Sequence, residues 1–176
     1  MNKRKIVIAA SGASGVNLGL KTVELLPDSV EKHFIMSANS KTVLHKEMKD
    51  VTTHNNKDIS ASIASGSFGV DAMLIAPCSM NTLAKIACGI SDNLVTRCAS
   101  VMIKEHKKLI LAPREMPFSA IALENMQKLA TLGVIIAPPV MAYYSEQQTL
   151  DEMENFIIGK WFDLLGIENN LYKRWN

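Results

Sequence analysis

The chain has 176 residues, of which 48% are hydrophobic and 20% charged, with a formal net charge of +2. That length and apolar content suffice to bury a core, so one domain over residues 1–176 is expected and a disordered polymer is excluded. The basic residues are scattered among carboxylates, which argues against a nucleic-acid partner, and no apolar run nears the ~20 residues that a membrane helix needs.

The opening "MNKRKIVIAASG" turns into Gly and Ser too early for a secretory signal, so a cytoplasmic protein is expected. Short β-branched runs then alternate with longer stretches of helical spacing, the pattern of βαβ units on a parallel sheet. Strands are predicted at 5–10, 32–37, 72–77, 108–113 and 133–138, and helices at 15–26, 39–48, 79–88, 93–105, 118–131 and 149–165. The implied class is α/β, doubly wound. The last three strands end in Ala-Pro, which marks where each gives way to a loop at the carboxyl edge, the edge where open α/β sheets bind ligands. Residues 50–69, rich in Ser, Gly and Asn, read as a mobile excursion with a short strand or two. Residues 137–148, "APPVMAYYSEQQ", form a long irregular segment of the kind that is often functional.

Three turns carry candidate chemistry. "SGASG" after the first strand supplies Gly12 and Gly15, which permit a tight turn and close approach, followed by a helix N-terminus. A phosphate cradle and a plain strand-to-helix turn fit these residues equally. A dinucleotide does not, because "FIMSANS" ends the second strand with Ser37 and Asn39 where an acidic residue would be needed. "APCSMNT" repeats the arrangement, with Ser79, Asn81 and Thr82 at a helix start; Ser79 also suits a simple N-cap. "LAPREMPFS" holds Arg114 and Glu115 stiffly between two prolines, where Arg can grip a phosphate and Glu can move protons. Solvent or a mutual ion pair would be the structural use of these two charges.

Other residue types offer less. Cys78, Cys88 and Cys98 are spaced ten apart and read as reduced, buried thiols. The four histidines occur singly, without HxxxH or HxH spacing, so no metal site is expected. Ser14 lies outside any G-x-S-x-G elbow.

Taken together, "GASG", "APCSMNTLAKIACGISDNL", "KEHKKLILAPREMPFS", "LENMQKLATLG" and "PPVMAYY" closely resemble the UbiX-type flavin prenyltransferases over nearly the whole chain. These belong to the homo-oligomeric flavin-containing Cys decarboxylase superfamily. The resemblance implies a three-layer Rossmann-like, flavodoxin-type parallel sheet with helices on both faces. It also implies a homo-oligomer, commonly a dodecamer, with sites at subunit interfaces. The implied reaction transfers a dimethylallyl group from dimethylallyl phosphate to reduced FMN, at the central-ring nitrogen and then by ring closure. The product, prenylated FMN, serves UbiD-type decarboxylases in quinone synthesis or aromatic-acid breakdown.

By position, the resemblance assigns FMN to Gly12, Ala13, Ser14, Ser37, Ser79, Met80, Asn81, Thr82 and Arg114. It assigns the allylic phosphate to Tyr144 and Lys160, and further active-site places to Lys104, Glu47 and Ser67, some of them donated by a neighbouring subunit. The residue types suit the chemistry. Lys104, Lys160 and the Tyr144 hydroxyl would neutralise the departing phosphate, while Glu115 with Ser14 would relay protons for ring closure. No Asp-rich D-D-x-x-D run is present, so no metal is called for. The chain departs from the family pattern at Ser145, where many members carry His, and in the divergent segment 48–64. An FMN-dependent cysteine-type oxidative decarboxylase is the rival, since "APCSMNT" resembles that branch's turn. That branch also requires a Pro-x-Met-Asn loop, and here the late loop reads "APREMPFS". A non-enzymatic FMN carrier would not need a second phosphate pocket.

Overall fold

A computed structural model describes residues 3–12, 15–36 and 50–174. The elements run β1 (Arg4–Ser11), α1 (Val16–Glu24), β2 (Val30–Met36), β3 (Val51–Asn55), β4 (Ala72–Cys78), α2 (Met80–Ala87), α3 (Leu94–Lys104), β5 (Lys108–Pro113), α4 (Ala120–Thr131), β6 (Ile135–Ile136) and α5 (Leu150–Leu165). Two short 3-10 turns, Ser62–Ala64 and Gly66–Phe68, lie between β3 and β4.

All six strands are parallel, in the order β3-β2-β1-β4-β5-β6. The five strands predicted from sequence correspond to β1, β2, β4, β5 and β6, which alone stand in the flavodoxin order 2-1-3-4-5; β3 adds a sixth beside β2. The topological switch point falls between β1 and β4, so their carboxyl ends open the crevice where such sheets take ligands.

Alternation along the strands builds the three layers. Ile6, Ile8, Ala10, Leu74, Ala76 and Ile110 point to one face and pack under α1 and α5, with Trp161 and Phe162 fully enclosed. Val7, Ala9, Met73, Ile75, Leu109 and Leu111 point to the other, under α2, α3 and α4. Gly19 fixes how closely α1 approaches the sheet, because a Cβ there would overlap the Ala76 carbonyl oxygen.

Local chemistry sets the helix boundaries. Ser79, Asn93, Ser119 and Thr149 each accept a hydrogen bond from a first-turn N–H, and Asn93 and Thr149 form full capping boxes with Thr96 and Glu152. The predicted starts at 79, 93 and 149 therefore fell on caps. The predicted helix 39–48 lies outside the described residues. β6 is shorter than predicted, since Gly133 precedes it and Pro138 and Pro139 follow.

Candidate active site at the carboxyl edge

The turns after β1, β4 and β5 meet at the switch point. Gly12 (φ 124°) and Gly15 (φ 84°) hold left-handed backbone that suits only glycine, and they bring the first turn against its neighbours. The Gly12 Cα faces the Ser79 side chain; Gly15 faces the Arg114 side chain and Pro77. The Ser79 N–H donates to Ser11 Oγ at 3.1 Å, and that hydroxyl donates to the Pro77 carbonyl at 3.4 Å. Ser79 Oγ accepts from Thr82 N–H at 3.2 Å and donates to Thr82 Oγ1 at 3.0 Å. Ser79 is thus both an N-cap and a wall of the crevice, so the two uses read from sequence coexist. Met80 is half-buried beside it, Thr82 is buried and Asn81 is exposed.

Charge at this edge is left unbalanced. α1 begins at Gly15 with no side-chain cap, so among the described residues its first-turn N–H groups have no side-chain acceptor. Arg114 and Glu115 are exposed, and among the described residues neither belongs to an ion pair. Glu115 Oε1 accepts its neighbour's N–H, from Met116 at 3.2 Å. A helix N-terminus and an exposed guanidinium at one crevice favour an anion. Ala13, Ser14, Ser37 and Glu47 lie outside the described residues.

Tyr144 and Lys160 come together some distance along the same edge. β6 pairs with β5, so the chain beyond Ile136 emerges beside the Arg114 turn. It runs over α5, where Trp161 Nε1–H donates to the Ala137 carbonyl at 3.0 Å and pins it. Between this segment and the helix lies a cavity of about 630 Å³, walled by apolar side chains including Met141, Phe156 and Leu164 and carrying Tyr143, Tyr144 and Lys160 as polar groups. Tyr144 meets Phe156 edge-on at 5.8 Å.

Lys104 and Ser67 stand elsewhere. Lys104 ends α3 at the amino edge, ion-paired to Glu105 at 2.5 Å, and Glu105 packs against Gly66. Ser67 bonds Ser65 at 2.9 Å in the adjoining turn. A strand length, roughly 20 Å, separates them from Arg114 within one chain.

The cysteines divide. Burial pushes the Cys78 thiol up to about 12, against a hydrogen bond with Ser11, and burial also pushes Cys98 to about 12. Neither is a ready nucleophile. Cys88, expected to be buried, is exposed because it closes α2. Two histidines that looked solitary in sequence are paired by strand register: His33 Nδ1 lies 3.1 Å from His54 Nε2, and His33 Nε2 lies 2.9 Å from Glu31. Burial, then the neighbouring His33, holds His54 below its usual range. Among the described residues no group of three or more His, Cys, Asp or Glu could hold a metal, and no helix is long and apolar enough to cross a membrane.

Sequence reasoning missed Gly19 and a cluster around Tyr172 behind the cavity. A glycine inside a predicted helix was the available signal for Gly19.

The comparisons agree with this architecture. Residues 1–161 match the family described as Flavoprotein. The flavin prenyltransferase UbiX of Helicobacter pylori strain J99 is 50% identical, aligned over 97% of this chain and 98% of its own. The crystal structure of AnUbiX (PadA1) in complex with FMN and dimethylallyl pyrophosphate superimposes with a TM-score of 0.91 at 36% identity, covering 99% of this chain and 98% of that one. A dodecameric FMN-dependent UbiX-like decarboxylase from Escherichia coli O157:H7 gives 0.87 at 39% identity, covering 98% and 99%. Crevice, cavity and chain-long similarity lead to one conclusion: this chain belongs to the UbiX flavin prenyltransferases, within the flavoprotein family.

Proposed function

We propose that the protein transfers a dimethylallyl group from dimethylallyl phosphate to reduced FMN, and that the prenylated FMN passes to a UbiD-type decarboxylase. The observation that carries this reading is the sharing of one apolar cavity by Tyr144 and Lys160. Apolar walls suit a five-carbon tail, and an ammonium with a phenol suits a phosphate.

FMN fits the crevice on this chain's own features: glycine backbone that permits close approach, a helix N-terminus without a side-chain cap, and an Arg114 that has no ion-pair partner among the described residues. Gly12, Ala13, Ser14, Ser37, Ser79, Met80, Asn81, Thr82 and Arg114 would hold it. When bound and reduced it supplies the nucleophilic ring. Lys160 and Tyr144 would neutralise charge as the allylic phosphate leaves, and the apolar walls would keep water from the carbocation. Glu115 emerges beside Arg114, whose side chain lies against Gly15, so the start of α1 and the loop carrying Glu115 adjoin. Glu115 would exchange the proton that ring closure releases, with Ser14 and Glu47 as its partners.

Lys104 and Ser67 reach such a site only from another copy of the chain, which suits a homo-oligomer, a closed symmetric assembly such as a dodecamer. Exposed Met116, Ile121, Leu123 and Tyr143 supply apolar surface for that contact. A cytoplasmic location fits the same reading. The cysteine-type decarboxylase alternative is disfavoured by the "APREMPFS" loop.

Anaerobic incubation with reduced FMN and dimethylallyl phosphate, followed by weighing the flavin, tests the proposal. A gain of one prenyl group is expected, and Glu115→Gln should bind FMN yet stall after alkylation. Unchanged flavin, or decarboxylation of a cysteine peptide, would refute it.

A further inference from the structure

Behind the cavity, the chain after α5 folds back as a strap over residues 167–174. Tyr172 lies at its centre. Its ring packs edge-on against Phe156 at 5.0 Å and lies 5.8 Å from Lys160 Nζ. Gly159 makes room for that ring, since a Cβ there would stand 2.5 Å from Tyr172 Cδ1.

The strap is tied down by Asp163. Its carboxylate accepts from the Tyr172 hydroxyl at 2.5 Å, from Arg174 at 2.8 and 3.2 Å, and from Asn169 Nδ2 at 2.9 Å. Burial opposes the Asp163 charge, but the bonds from Arg174, Tyr172 and Asn169 outweigh it and hold the carboxyl below its usual range. Burial, then Asp163, pushes Tyr172 up to about 12, so its O–H stays a donor at physiological pH.

We infer that Tyr172 is a positioning residue: clasped by Asp163 and Arg174 and admitted by Gly159, its ring braces Phe156 and Lys160 where the cavity takes a phosphate. The inference rests on the functional reading above. Lys160 carries a long flexible stem, and an aromatic face near its ammonium narrows the positions that ammonium samples. Phe156 in turn supports Tyr144, so one ring behind the wall backs both Tyr144 and Lys160.

The test is calorimetric titration of dimethylallyl phosphate into the full chain carrying oxidised FMN, with FMN affinity and melting temperature measured alongside. Tyr172→Leu and Gly159→Ala should each weaken dimethylallyl phosphate binding about two- to fivefold, the range of an exposed cation–π contact. FMN affinity should not change. Tyr172→Phe keeps the ring and should restore most of the loss, which a purely structural hydroxyl–carboxylate tie would not allow. Should Gly159→Ala fail to fold, the Leu and Phe variants carry the comparison. Binding within twofold of the parent in Tyr172→Leu, or equal weakening in Leu and Phe, overturns the positioning role. A parent protein that binds FMN but no dimethylallyl phosphate overturns the functional reading and this inference with it.

Discussion

At the amino edge of the sheet four cations have partners: Arg4 donates to the carbonyls of Leu165 and Gly166 at 2.9 and 3.0 Å, Lys108 to Leu164 at 2.6 Å, Lys5 to Phe68 at 2.8 Å, and Lys104 pairs with Glu105. At the carboxyl edge Arg114 has no such partner among the described residues, and α1, unlike α2, α3, α4 and α5 that also start there, has no side-chain cap. Helix polarity accounts for the difference. α5 ends at the amino edge with carbonyls that need donors, and the chain supplies Arg4 and Lys108. α1 begins at the carboxyl edge with N–H groups that need an acceptor, and a cation stands beside them instead of an anion. The end of α5 is finished by the protein itself, whereas the start of α1 beside Arg114 is left with donors and, among the described residues, no side-chain acceptor.

That contrast can be broken experimentally, and the largest effect is expected at the carboxyl edge. Arg114→Ala should weaken FMN binding about ten- to a hundredfold, the equivalent of roughly 1.5–3 kcal/mol for charge-assisted bonds, measured by flavin fluorescence quenching. The melting temperature should hold within about 2 °C. A loss of stability without loss of affinity would mean that Arg114 belongs to the scaffold.

Gly19→Ala lies between the two edges. The added methyl must push α1 from β4, costing about 1–3 kcal/mol of stability, or about 5 °C in melting temperature. Because α1 carries the Gly15 turn, FMN affinity should fall as well, by less than in Arg114→Ala. Thermal melts and quenching titrations on one preparation would separate the two effects.

The smallest change is expected at the amino edge. Arg4→Ala removes the cap on the α5 carbonyls and should cost about 1 kcal/mol, seen in chemical denaturation. FMN affinity should match the parent. If it fell as far as in Arg114→Ala, the division of labour between the edges would be wrong.

How much could be read in advance differs from element to element. β1, β4 and β5 were legible because buried parallel strands read as dense apolar runs with Pro or Gly at their ends. β3 read only as a short strand within an excursion: "VTTHN" is an edge strand, exposed along most of its length, and it joins the sheet through backbone pairing to β2. Gly12, Ser79 and Arg114 stood out by residue type beside strand ends. Tyr144 and Lys160, assigned by resemblance, share a cavity because a loop folds over a helix.

The sequence by itself determined the α/β class, the caps and the three turns that carry the crevice, because each is written in local spacing and residue type. Only the tertiary structure decided which groups face one another: Arg114 against Gly15, His33 against His54, Tyr172 in the gap at Gly159, and Lys104 a strand length from Arg114. Those contacts depend on strand order, register and helix direction. These follow from packing two apolar faces of one sheet, and no short window of residues encodes them.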